Sequence, residues 1–381
     1  MTLPLNPLPN GPLFCVSIPT SKIYCRCLSF LNIICLACAK LDTQKDTIDP
    51  DIYVNGMASL GGHTYLDIVE RLTYRLGTQS RHIDFTGAPK WEIPEKIIIG
   101  TAAYGVFIDK EQNPNQPVTP EECIKAFEPC IEMGAPGVHT HARGMKGGFY
   151  EPNKARTFLH SVLDPLRNKY GDKIVTDGGI GYYGKTMDEN LFPVDEGLYE
   201  VVILNPSVGQ MGDYVRVYSP KVVQDEVKYV QDRGKKVLID IHDTTHIGNA
   251  QKWLVDTGVL QKPYFWHILG PVDGGFIHMP NLRAMVDGLL YLVDRIRDID
   301  KDSIIYVSQS GRASTYLIAL SILLGLHVRV GMEDTIWKWP HRDEKIKSNE
   351  EVVRAAIEIA RYLGREPATS DDYRKMVGLK R

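Results

Sequence analysis

From Lys96 onward the chain alternates between short runs of β-branched or apolar residues and longer segments with helical periodicity. The runs fall at Ile97–Ala103, Gly137–His141, Lys173–Asp177, Val201–Asn205, Lys236–Ile241, Tyr264–Leu269, Ser303–Ser308 and His327–Gly331, and each leads through a polar or glycine-containing loop into a helical pattern. Strands that are apolar almost throughout are buried on both faces, as in a parallel sheet covered by helices. Eight such pairs in roughly 270 residues match a closed barrel better than an open doubly wound sheet. A dinucleotide-binding open sheet needs G-x-G-x-x-G after its first strand, and here that turn reads Thr101-Ala102-Ala103-Tyr104-Gly105. The pattern therefore predicts an α/β protein with a single (β/α)8 barrel over residues 96–381. Helix starts carry their own signals: Thr119-Pro120-Glu121-Glu122 sets a cap, a proline and acid in the first turn, and Ser348-Asn349-Glu350-Glu351 a similar start without proline.

Ahead of the barrel, residues 57–95 hold a helical run, Tyr65–Leu76, and the segment Arg81–Trp91. They read as a pre-barrel cover or an oligomer arm. Residues 1–56 differ in composition and read as a poorly structured extension, with Met57 a plausible native start. Five of the seven cysteines lie in the first 38 residues, at Cys15, Cys25, Cys27, Cys35 and Cys38. The C-x-C and C-x-x-C spacings could form a zinc knot, but incidental cysteines are the simpler reading. Leu28–Ala39, after Lys22 and Arg26, resembles the apolar part of a secretion signal ending in Ala37-Cys38-Ala39. The long, five-proline stretch before it speaks against secretion.

A body with only Cys123 and Cys130 is no disulfide scaffold and reads as cytoplasmic. The net charge of −3 argues against a nucleic-acid partner. No run of eighteen apolar residues suggests a membrane span.

In a barrel of this kind the reactive groups stand at the C-terminal ends of the strands. The second run ends in Val138-His139-Thr140-His141, and residues two apart on a strand share a face, so both imidazoles can face the mouth. That is half of a transition-metal site. The eighth run ends in Arg329-Val330-Gly331-Met332-Glu333-Asp334. Closure brings it beside the first run, so Glu333 can complete a two-histidine, one-carboxylate set with positions left open for substrate. Asp334 is then a candidate base and Arg329 its partner or an anion binder. Facing both requires a turn after Gly331. Further candidates are the Gly178–Gly179 turn as an oxyanion cradle, Ser207, and Arg312 in Ser310-Gly311-Arg312 as an anion site at a helix start.

The segments HVRVGMED (His327–Asp334), SNEEVV (Ser348–Val353) and GREPAT (Gly364–Thr369), with VHTH and the Asp-Gly-Gly turn, resemble the β-keto acid cleavage enzyme family from about Ile97 onward. The resemblance implies a zinc-dependent transfer in which a β-keto acid and acetyl-CoA yield acetoacetate and a new CoA thioester. It implies zinc ligands at His139, His141 and Glu333, a catalytic Arg329 and Asp334, substrate contacts at Gly178, Gly179 and Ser207, and a homo-oligomer, with a tetramer favoured. Two positions depart from the family pattern: Phe107 stands where a glutamate is usual and Ile180 where a serine often follows the glycines. Both departures would strip polar contacts from the far end of the substrate, which points to a less polar or differently charged keto acid. No cysteine ends a strand, so no acyl-cysteine is expected. Two other readings stay open at this point: a metal-dependent aldolase or lyase without CoA, and an inactive metal-binding barrel.

Overall fold

The computed structural model of the chain describes residues 86–181, 183–211, 214–270 and 279–379. The expectations for 1–56 and for the pre-barrel segment up to residue 85 lie outside the described residues.

Eight parallel strands close in chain order: β1 (Ile99–Thr101), β2 (Gly137–His139), β3 (Val175–Gly179), β4 (Val201–Leu204), β5 (Lys236–Ile241), β6 (Phe265–Ile268), β7 (Ile304–Ser308) and β8 (His327–Val330). All eight predicted runs are strands: Lys236–Ile241 keeps its predicted bounds, the third run is shifted two residues on to Val175–Gly179, and the other six are shorter than the sequence pattern suggests. The closing pair sets Val328 beside Ile99 and Val330 beside Thr101, so β8 flanks β1 as expected. Helices follow each strand: α1 (Pro120–Glu132), α2 (Pro152–Tyr170), α3 (Met187–Asp195), α4 (Pro220–Asp232), α5 (Thr244–Ala250), α6 (Leu282–Ile299), α7 (Ser314–Leu323) and α8 (Asn349–Tyr362). The predicted caps form. Thr119 and Glu122 make a reciprocal capping box at α1, and the Ser348 side chain accepts from the Glu351 amide at α8.

Alternation along each strand separates two cores. Outward residues such as Val202, Val237, Ile239, Trp266 and Val307 meet the helices. Inward residues Val175, Val201, Leu238, Phe265 and Tyr306 fill the lower barrel. A ninth helix, α9 (Ser370–Val377), packs Tyr373 and Val377 against that inner cluster. Two residues further along these strands the inward positions become Asp177, Asp240, His267 and Ser308, with Arg329 on β8 beside Ser308, all buried. The barrel interior is thus apolar below and polar above, which fixes the end at which chemistry occurs. Among the described residues no helix is long and apolar enough to cross a membrane.

Candidate active site

His139 ends β2 and His141 lies two residues on, both buried. The Thr140 amide continues the sheet by donating to the Asp177 carbonyl at 3.0 Å, which keeps the alternation going past the strand end. His139 Nε2 and His141 Nε2 are 3.1 Å apart, and Glu333 Oε1 stands 2.9 Å from the first and 3.4 Å from the second. Glu333 gets there because the chain turns after β8: Gly331 has φ of 146°, and a side chain on it would run into the Ala102 carbonyl. The Glu333 amide then bonds the Ala102 carbonyl at 3.1 Å.

Three donor atoms on one point at these spacings match the edges of a tetrahedron with metal–nitrogen bonds of about 2.0–2.1 Å, for which edges are roughly 3.3 Å. Glu333 Oε2 is buried without a hydrogen-bond partner, as an oxygen next to a cation is free to be. The residues fit a divalent metal. Asp177 completes the arrangement from β3, its Oδ1 2.5 Å from His139 Nδ1, the outer-shell carboxylate that orients a ligating imidazole. Asp177 was not assigned a role from sequence. The signal for it is register, since Asp177 is the direct neighbour of His139 across the β2–β3 pair.

Arg329 is buried on β8 and forks onto Asp334, with Nη2 2.8 Å from Oδ1 and Nε 3.2 Å from Oδ2. This is a buried pair beside the candidate metal ligands, 3.6 Å from Glu333 Oε1, and not a surface one. Burial pushes the Asp334 carboxyl up to about 6 against the pull of Arg329, and the neighbouring Glu333 adds to the rise. Burial works the same way on Glu333, but His139, His141 and Arg329 outweigh it and hold that carboxylate well below its usual range.

The cleft above these groups encloses about 700 Å³, counting the open space at its mouth. Val106, Phe107, Ile108, Phe149, Ile203 and Leu269 form an apolar wall, and Asp240 and His267 lie within the lining. Asp240 accepts from Asn205 Nδ2 at 2.9 Å and bonds His242 Nε2 at 2.9 Å and His267 Nδ1 at 2.7 Å. Burial opposes its ionisation, yet the two imidazoles hold it well below the usual carboxylate range. His267 Nε2 is 2.5 Å from Ser308 Oγ, and burial with nearby Arg329 pushes this imidazole down to about 4. The sequence signal for this set was a single polar residue at an inward position of an otherwise apolar strand.

Of the proposed substrate contacts, Gly179 lines the cleft. Gly178 points the other way, where a side chain would meet the Tyr199 ring. Ser207 is buried, and its hydroxyl accepts from Asn249 Nδ2 at 2.9 Å outside the cleft lining. Arg312 is likewise outside that lining, paired with Asp343 at 2.5 Å. The two departures separate. Phe107 does stand in the cleft, edge-on to Phe149 at 6.0 Å, whereas Ile180 belongs to the hydrophobic core and costs the site nothing. The expected loss of polar contacts is also partial, because Asp240 supplies a carboxylate that sequence reasoning had not counted.

A closed barrel with two histidines, a glutamate and a buried arginine–aspartate pair at its C-terminal rim has the architecture of a barrel enzyme with a candidate metal site. The model of the β-keto acid cleavage enzyme family matches residues 96–379, and the chain belongs to that family. With it, the chain is an enzyme of carbon–carbon bond cleavage of the acyl-transfer type. It is 30% identical over 298 residues to the 3-keto-5-aminohexanoate cleavage enzyme of Fusobacterium nucleatum, covering 75% of this chain and 99% of the relative. It is 24% identical over 318 residues to the 3,5-dioxohexanoate:acetyl-CoA acetone transferase of Paraburkholderia graminis, covering 75% and 96%. A solved structure of ObcA with oxaloacetate shares the fold with a TM-score of 0.58 at 16% identity, covering 70% of this chain and 68% of that one.

Proposed function

We propose that this protein is a zinc-dependent enzyme converting a β-keto acid and acetyl-CoA into acetoacetate and a new CoA thioester. The observation that carries the reading is the convergence of His139, His141 and Glu333 beside the buried Arg329–Asp334 pair, at the floor of a mostly apolar cleft. The acetyl-CoA half draws support from the relative named as an acetyl-CoA acetone transferase.

When bound, zinc supplies Lewis acidity toward the keto and carboxylate oxygens of the substrate. Asp334 takes a proton from the carbon between those two groups, and a carboxyl raised to about 6 by burial is a stronger base than an exposed one. Arg329 fixes the direction of that carboxylate, with two donors on Oδ2 and one on Oδ1, and so leaves Oδ1 a further lone pair for the proton. Asp177 holds His139 in one orientation. Phe107, Phe149 and Leu269 exclude water from the reacting centre, which strengthens every charge interaction in it. The cleft supports a keto acid with a largely apolar chain, whose one polar end meets Asp240 or His267.

The test is a panel of β-keto acids with and without acetyl-CoA, followed by acetoacetate formation. Acetoacetate is expected only when both are present. Cleavage without acetyl-CoA would instead make the protein a lyase, and zinc binding with no turnover would make it an inactive barrel.

A further inference from the structure

A second cleft of about 700 Å³, counting its open mouth, lies on the same rim of the barrel. Among the described residues it is lined by Leu282 and Met285 at the head of α6, Arg312 and Tyr316 after β7, and Pro340 and His341 after β8. None of these residues lines the metal cleft, yet the two share a wall. The Gly311 amide bonds the carbonyl of Asp334 at 3.0 Å, and the Thr335 hydroxyl donates to the Gly311 carbonyl at 2.7 Å. The loop that carries Arg312 is therefore tied to the backbone of the base.

The second cleft has the composition of a nucleotide site. Tyr316 and His341 offer two rings 5.9 Å apart at 53°, and Leu282 adds exposed apolar surface. Arg312 lies over the Trp337 ring at 3.6 Å, which leaves its charge available at the rim. Its ionic partner among the described residues, Asp343, is 83% exposed, and such a surface pair exchanges readily for a phosphate. Arg312 also donates to the carbonyl of Arg342, so a second exposed cation follows directly in the chain.

Hydrogen bonds brace one side of this cleft. Ser314, the first residue of α7, holds a left-handed φ of 43°, a strained setting for serine. Its hydroxyl bonds the carbonyls of Trp337 and Lys338, and Thr315 Oγ1 adds a bond to the latter at 2.8 Å. These bonds clamp the segment carrying His341 against the head of α7.

We propose that this second cleft holds the adenosine 3′-phosphate end of the acyl-CoA co-substrate, with Tyr316 and His341 against the purine and Arg312 on a phosphate. The pantetheine arm then runs over the loop of Gly311 and Thr335 to bring the thioester to the metal cleft. This inference rests on the acyl-CoA reading above, and the test separates the two.

Calorimetric titration of the full chain with adenosine 3′,5′-bisphosphate reads the cleft without any turnover. The wild type is expected to bind it, and Tyr316→Ala and Arg312→Gln each to weaken it by about tenfold, the usual worth of one base stack or one charged phosphate contact. The KM for acetyl-CoA is expected to rise by a similar factor in both variants, with the KM for the keto acid unmoved. Wild-type affinity in both variants, or no binding in any form of the protein, overturns the proposal. So does an unchanged KM for acetyl-CoA in an active enzyme. Bisphosphate binding that both variants lose, in a protein that never uses acetyl-CoA, upholds the nucleotide cleft and removes the acyl-transfer reading.

Discussion

Glu333 and Asp334 are neighbours in sequence and do different work in the same cleft. On an extended strand they would face opposite ways, and only the turn at Gly331 brings both toward the mouth. Glu333 points its Oε1 at the two imidazoles, while Asp334 is held by Arg329. Asp334→Asn keeps the shape and most of the hydrogen bonding but not the basicity. We expect it to retain zinc and keto acid affinity while the chemical step falls by roughly 10²–10⁴-fold, the usual worth of a positioned base. Single-turnover kinetics on the metal-loaded variant, with keto acid affinity measured separately, decide it. Near-normal turnover would remove Asp334 from the mechanism, and loss of zinc would mean that base and ligand are exchanged.

Among the secondary-structure elements, the loop after β1 positions Glu333, a proposed ligand that it does not itself supply. Gly105 lies against Glu333 so closely that an added Cβ would stand 2.4 Å from Glu333 Cγ. The loop cannot retreat, because buried Arg143 binds the carbonyls of Gly105 at 2.9 Å and Ile108 at 2.8 Å. The strain of Gly105→Ala therefore falls on the Glu333 side chain. We expect zinc affinity to drop by about 10–100-fold, the range seen when the support of a ligand is altered, with little change in thermal midpoint. Competition against a chelator measures it. Wild-type affinity would show that Glu333 is placed by β8 alone.

For the molecule as a whole, the question is how much of the chain the barrel needs. The family match begins at residue 96, and the first 56 residues carry most of the cysteines and none of the regular alternation. A chain shortened to begin at Met57 is expected to fold cooperatively and bind zinc with wild-type stoichiometry. Thermal unfolding and metal analysis test this. Aggregation, or loss of the transition, would make residues 1–56 part of the fold.

What the sequence by itself determined is local or periodic. Eight apolar runs set between helical patterns dictate eight strands in order, because each element's burial is written in its own residues. The period of two along a strand was enough to pair His139 with His141, and barrel closure together with a turn at Gly331 was enough to bring Glu333 to them. Contacts that depend on inter-strand register were not legible. Asp177 beside His139, and Asp240 bridged to His267 and on to Ser308, each join residues on different strands whose offset no single segment encodes. The facing of loop residues was also a tertiary matter. Ile180, Ser207 and Arg312 all follow strand ends, as a substrate-binding residue should, yet packing turns each of them away from the metal cleft, while Gly178, inside β3, faces outward by the strand's own alternation. Beyond the strands the period of two no longer applies, and the neighbours that fill the space decide which way a side chain points.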